Sequence, residues 1–294
     1  MLFSIWPNPN RSPAEVLDLA RFADDGDWHC LWYADHYMPN TGDESFEPGD
    51  VHECWSILAA IGAVTERVRF GPLVAPTSVH HPALLANRAS TLDQLSNGRF
   101  TLGMGAGWQI NEHAAYGIDL EPAGARVSRF EESIQVVRSL LDNERTNFHG
   151  DFYNVTDAPC DPHPVQAKLP IVVGTGSPRM LKITARHAQE WNTWGAPELA
   201  GERRVAYTAA CESVGVDPSS LHTSVQAMFF LDGDPDKADD RSIAGSNQQI
   251  IDALGRYRDL GFDEVIVPDF TLGATFEERL DAYRRFDTDI IAHL

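Results

Sequence analysis

The sequence predicts an α/β barrel of eight parallel strands, a (β/α)8 or TIM barrel, formed by one domain over residues 1–294. Short strand-like apolar runs alternate strictly with stretches of helical apolar spacing, eight of each. No linker rich in Pro, Gly or Ser divides the chain. The length also suits a barrel, which takes about 250 residues. Strict alternation implies a parallel sheet, and a count of eight closes it. An open, doubly wound sheet is the competing architecture.

Leu2-Phe-Ser-Ile-Trp6 reads as the first strand. Ser12-Pro-Ala-Glu15 is a capping box with Pro at the first helical position, and Val16, Leu19, Ala20 and Ala23 give that helix one apolar face. Cys30-Leu-Trp-Tyr33 forms the second strand, and a polar loop follows to about residue 51. A helix over 53–64 and a strand over 68–74 come next, then a helix from Pro82 that stops at Ser96-Asn97-Gly98. Phe100, Thr101 and Leu102 open the fourth strand, and Val127, Phe130, Ile134, Val137 and Leu141 line one helix face. Residues 145–168 read as an irregular insertion with an extended piece at 152–155. Strands at 170–174, 191–194, 224–231 and 264–268 then alternate with helices to about 188, over 198–214, over 248–260 and after Thr275, where Thr275-x-x-Glu278 has the spacing of a second capping box. Residues 232–240 read as a polar tail of the seventh strand.

The formal charge of −20 argues against nucleic acid and anionic membranes, which bind through Lys and Arg. No apolar run is long enough to span a bilayer, and the N-terminus reads as a strand rather than a signal peptide. Cys30, Cys54, Cys160 and Cys211 lack C-x-x-C spacing and read as reduced thiols, as in a cytoplasmic protein. The acidic field would repel an anionic ligand at long range, so local donors must overcome it.

The chemistry-bearing stretches fall at strand C-termini, where barrels build their sites. In Arg99-Phe-Thr-Leu-Gly-Met-Gly-Ala-Gly-Trp108, glycines at every second position strip one strand face and admit something flat or bulky. Trp108, Asn111 and Glu112 follow and break the dinucleotide pattern G-x-G-x-x-G. Asp35-His36 ends the second strand, offering a carboxylate and an imidazole able to move a proton. Gly174-Thr-Gly-Ser-Pro178 leads into a helix whose free N–H groups suit a phosphate, with Arg179 and Lys182 as nearby cations. His80-His81 points to opposite sides of an extended chain, and no H-E-x-x-H occurs, so no metal site is expected. G-x-S-x-G is also absent.

These stretches together resemble the luciferase-like monooxygenase superfamily, in particular the branch using the deazaflavin coenzyme F420. The resemblance is carried by Trp32-Tyr-Ala-Asp-His36, His81-Pro-Ala-Leu-Leu-Ala86, Thr91-Leu-Asp-Gln-Leu-Ser96, the run from Gly98 to Trp108, Glu112 with Tyr116-Gly117, and Val173-Gly-Thr-Gly-Ser-Pro178. The chain departs from the family's usual pattern at Pro72, at Ala75-Pro76 and at Ala188-Gln-Glu-Trp191. The resemblance implies a bacterial luciferase-like barrel with a tricyclic cofactor ring at the strand C-termini. Asp35 and His36 would border the ring, and a non-prolyl cis bulge at Leu73–Val74 would press against it. Ala106, Gly107, Trp108, Asn111 and Glu112 would contact ring or ribityl chain, and Gly174, Thr175, Gly176 and Ser177 would hold the phosphate.

The expectation is an F420-dependent oxidoreductase moving a hydride between the deazaflavin C5 and a small organic substrate. His36 is the first choice for the accompanying proton and Glu112 the second. An FMN-dependent monooxygenase and a barrel that binds a cofactor without turnover are the alternatives. The substrate would be shaped by loop 37–52 and by the segment 145–168, and the resemblance implies a homodimer.

Overall fold

A computed structural model describes residues 1–294. The chain begins with β1 (Leu2–Trp6), α1 (Pro13–Asp25), β2 (Cys30–Tyr33) and α2 (Cys54–Val64). The third strand comes in two pieces, β3 (Arg69–Pro72) and β4 (Ala75–Pro76), followed by α3 (Pro82–Leu95) and β5 (Leu102–Gly105). Then come α4 (Ile110–Tyr116), α5 (Ala123–Asp142), β6 (Thr146–His149), β7 (Asn154–Ala158), β8 (Ile171–Gly174) and α6 (Pro178–His187). The last third comprises β9 (Glu190–Trp194), α7 (Pro197–Ser213), β10 (His222–Gln226), β11 (Met228–Leu231), β12 (Ser242–Gly245), α8 (Asn247–Asp259), β13 (Glu264–Pro268) and α9 (Phe276–Arg285).

One parallel sheet runs β3-β2-β1-β13-β10-β9-β8-β5-β4. Because β3 and β4 are halves of one interrupted strand, the sheet has eight strand positions. A parallel bridge from Phe70 to Phe100 joins its two ends. The eight predicted strands and eight main helices are all present. Both predicted capping boxes form, with Ser12 accepting from the Glu15 N–H and Thr275 from the Glu278 N–H. Outward-facing residues pack under the helices in two large clusters, around Phe70, Phe100 and Phe130 and around Trp191, Tyr207 and Tyr257. Alternate residues on the same strands turn inward, where Trp6, Cys30, Trp32, Leu73, Val172 and Ile266 cluster.

Three details differ from the sequence expectation. The short α4 follows the glycine-rich strand directly; at seven residues it is too brief for helical periodicity to register. The insertion 145–168 contains an antiparallel hairpin, β6 with β7, fastened to α5 by Glu132, which accepts from the N–H groups of Asp151, Phe152 and Tyr153. The strand read over 224–231 breaks at Ala227, and β11 leaves the barrel to pair with β12.

Two features of the Gly98-to-Trp108 run shape the barrel. The Arg99 guanidinium donates to the carbonyls of Gly62, Thr65 and Val68 at 2.8–2.9 Å, closing the C-terminal end of α2 onto β3. Beyond it, the bare face left by the glycines is occupied by the chain's own third strand. A Cβ at Gly103 would overlap the Pro72 carbonyl, and one at Gly105 would come within 2.6 Å of Val74 Cγ2. The peptide bond Leu73–Val74 is cis, at the position the resemblance implied.

Gly103→Ala should therefore destabilise the fold by about 2 kcal/mol or more, since the obstructing atom is backbone and cannot rotate away. Urea denaturation of the two proteins measures the difference; equal midpoints would mean that the third strand tolerates displacement.

Candidate active site

The C-terminal ends of the strands open into two adjoining cavities of about 930 and 290 Å³. They share His36, Val74, Trp108, Gly174 and Thr175 as common walls. The floor of the larger one is aromatic: Trp6 lies 5.5 Å from Trp194 and 5.1 Å from Phe270, centroid to centroid. The Trp6 indole N–H is buried there with no partner in the protein.

His36 stands between the two cavities. Its Nδ1 donates to Glu112 Oε1 at 3.0 Å, and the other carboxylate oxygen accepts the Tyr37 N–H at 3.0 Å. Glu112 is buried and His36 is partly exposed, so the carboxylate lies behind the imidazole and the ring faces the cavities. Trp108 packs edge-on against the same ring at 5.4 Å. The arrangement fixes the His36 tautomer with Nδ1 protonated and leaves Nε2 as the atom free to exchange a proton.

The predicted residues separate into two groups. Leu73 and Val74, Ala106 to Trp108, Glu112, and Gly174 to Ser177 all line one cavity or both. Asp35 and Asn111 line neither. Asp35 lies deeper, accepting from Trp55 Nε1 at 3.0 Å and from His80 Nε2 at 2.7 Å. Arg88 in turn reaches His80 Nδ1 at 3.2 Å, so His80 serves this buried network, and the sequence pairing of His80 with His81 has no counterpart in space. Asn111 donates to the Pro39 carbonyl at 2.7 Å, and Gln109 donates to that of Met38 at 2.9 Å. Those two amides tie the loop after β2 to α4.

The loop Gly174–Ser177 leads into α6 with Ser177 at the cap position and Pro178 first in the helix, as read from sequence. The cations around it differ from the expectation. Arg179 turns away to Glu131 and Ser128, at 2.8 and 3.0 Å, and neither it nor Lys182 lines a cavity. Arg203, from α7, takes that place instead: a Cβ at Gly176 would lie 3.8 Å from its Nε. Its guanidinium is braced by Thr193 Oγ1 and the Trp194 carbonyl at 3.1 and 2.7 Å. Burial and the nearby Arg241 lower its pKa below the usual arginine range. Arg126 lines the smaller cavity, and Lys237 and Arg241 line the larger. Helix periodicity carries no sign that Arg203 points inward, because its neighbours in sequence are an ordinary polar face. The hairpin 146–158 stays outside the cavities; the wall assigned to it is built by Met228, Phe230 and residues 237–242, together with the loop 37–52.

This barrel, open at the strand C-termini with a buried carboxylate behind an imidazole, is the architecture of an α/β-barrel oxidoreductase. The chain belongs to the luciferase-like monooxygenase family, whose model matches residues 2–263. It is 32% identical to an uncharacterised protein of Mycobacterium tuberculosis over 83% of this chain and 81% of that one. An F420-dependent glucose-6-phosphate dehydrogenase of Microbacterium testaceum is 33% identical over 65% of this chain and 56% of its own length. Among solved structures, an F420-dependent secondary alcohol dehydrogenase superposes with a TM-score of 0.84 at 18% identity, covering 99% of both chains. A monooxygenase from Streptomyces bottropensis superposes with a TM-score of 0.80 at 22% identity, over 100% of this chain and 99% of that one. No helix is long and apolar enough to cross a membrane.

The space beside Gly176 yields a test of the loop. Its backbone does not require glycine, so Gly176→Val should fold normally and fill the gap in front of Arg203. Binding of a phosphorylated cofactor should weaken by about 2 kcal/mol, roughly thirtyfold, while an analogue lacking the phosphate should be nearly indifferent. Fluorescence titration of both ligands decides; unchanged binding of the phosphorylated one would make the loop a helix cap only.

Proposed function

We propose that this protein is an F420-dependent oxidoreductase that moves a hydride between the deazaflavin C5 and a small organic substrate. The observation that carries the reading is the His36–Glu112 pair, set where two adjoining cavities meet at the mouth of the barrel. F420 is favoured over FMN by the names of relatives about 30% identical, which are F420-dependent glucose-6-phosphate dehydrogenases.

The residues present fit a flat ring with a phosphorylated arm. Val74 offers an apolar wall for a ring, and bare Gly176 beside Arg203 offers close approach and positive charge to a phosphate. When bound, a deazaflavin supplies a two-electron carrier that takes or gives a hydride at carbon. The protein's part is to orient the substrate and handle the proton. Glu112 holds His36 through Nδ1, so Nε2 accepts a hydroxyl proton as the substrate's carbon-bound hydrogen leaves, and returns it in the reverse direction. The carboxylate also stabilises the imidazolium formed in that step. Trp6, Trp194 and Phe270 present an apolar surface to the substrate. Arg203, Lys237 and Arg241 outnumber the Asp50 and Asp239 carboxylates in the lining of the larger cavity, a local excess of positive charge on a chain of net charge −20 that favours a ligand with an anionic group.

Two measurements test this reading. F420 should bind at least about tenfold more tightly than FMN, a difference of about 1.4 kcal/mol; equal or reversed affinities in a fluorescence titration favour a flavin-dependent monooxygenase. His36→Ala should lower turnover about 10²-fold or more with little change in cofactor affinity. Collapse of affinity with turnover per bound cofactor intact would make His36 a binding residue.

A further inference from the structure

At the opposite end of the barrel, three strands begin with residues that the proposed reaction does not use. His29 precedes β2, His222 opens β10 and Glu264 opens β13. Their donor atoms all lie within 4.8 Å of one another. We propose that His29, His222 and Glu264 form a divalent transition-metal site of the zinc type, which fastens the N-terminal mouth of the barrel.

The surroundings of the three side chains support a metal over a plain ion pair. Glu264 is buried, and its Oε1 is already engaged by the Trp32 indole N–H at 2.9 Å, which leaves Oε2 turned toward His222. His222 Nε2 meets that oxygen at 2.9 Å, while its Nδ1 faces Asp263 Oδ2 at 3.9 Å. Asp263 is itself held in place by the Thr223 N–H and hydroxyl at 2.8 and 2.9 Å. The Trp32 donor on the distal oxygen of the carboxylate is the kind of support that orients a metal ligand, while Asp263, at 3.9 Å, adds negative charge near His222 Nδ1 without a hydrogen bond to it. His29 lies beside His222, with ring centroids 6.1 Å apart. Both histidines are partly exposed, so an ion has a route in from solvent.

Two imidazoles and one carboxylate suit zinc and its first-row neighbours, with water as the fourth ligand. Bonds of about 2 Å to each donor require the three to draw together, which rotation of the partly exposed His29 allows. Binding to the protonated His222 ring displaces its Nε2 proton to solvent and leaves a neutral imidazole with its remaining proton on Nδ1. The site would join β2 to β10 and β13, elements from opposite ends of the chain. It lies away from the cavities, so it is independent of the proposed activity. Spacing along the chain gives no sign of such a site, because the three residues come from separate strands.

The test uses untagged full-length protein, stripped with chelator and titrated with Zn²⁺ by calorimetry in excess Mg²⁺ to saturate the acidic surface. One equivalent should bind with Kd of about 1 μM or tighter and raise the melting temperature. Co²⁺ should give the intense visible band of a four-coordinate site. His29→Asn and His222→Ala should each weaken binding at least tenfold. The proposal fails if the wild type shows no single-equivalent event or no such band, or if His29→Asn binds like wild type. Should His222→Ala not fold, the more peripheral His29→Asn decides.

Discussion

Val74 and the glycines opposite it form the contact on which the rest of the site depends. The third strand runs beside β5 only as far as Pro72, then doubles inward at Leu73–Val74 before resuming at Ala75. That inward step is possible because Gly103 and Gly105 present no side chains: the Pro72 carbonyl and the Val74 methyl groups sit where Cβ atoms would otherwise be. Gly174 on the next strand leaves Val74 a third clear side, with 3.5 Å to the position a Cβ would take. The wall shared by both cavities is thus an internal packing feature first, built before any ligand arrives.

The sequence carried most of the fold, since alternation of short and long apolar runs is a property of each element by itself. The capping boxes at Ser12 and Thr275, Pro at the start of α3 and α6, and the stop at Gly98 were equally local. The glycine stripe was legible as a cleared surface, but what fills it at Gly103 and Gly105 was not. The filling atoms belong to a strand some thirty positions earlier, and nothing in the run from Arg99 to Trp108 specifies them. The same limit explains Asp35. A carboxylate at a strand's C-terminus reads as site-facing, yet the indole of Trp55 and the imidazole of His80 draw it inward, and both come from other segments.

Charge shows the limit most plainly. A phosphate loop on so acidic a chain needs compensating cations, and the nearest in sequence are Arg179 and Lys182. In the fold Arg179 is claimed by Glu131 on the neighbouring α5, and the cation that reaches Gly176 arrives from α7. Neighbouring helices in a barrel compete for each other's charged side chains, so proximity along the chain predicts the chemistry needed but not the residue that supplies it.

The amide ties between α4 and the loop after β2 bear on how such a barrel could acquire new specificity. Gln109 and Asn111 hold the carbonyls of Met38 and Pro39, one step on from where Glu112 holds His36 and the Tyr37 N–H. Residues 36–39 and 109–112 are therefore one clasp, and the proton-handling pair is part of it. Past Pro39 the loop is largely exposed as far as residue 50. Between Asn40 and Asp50 that stretch meets the clasp at Gly49, where a Cβ would come within 2.7 Å of the Pro39 ring; a loop graft with its seam at Asn40 can therefore remodel the entrance and leave the His36 clasp in place as long as Gly49 is kept.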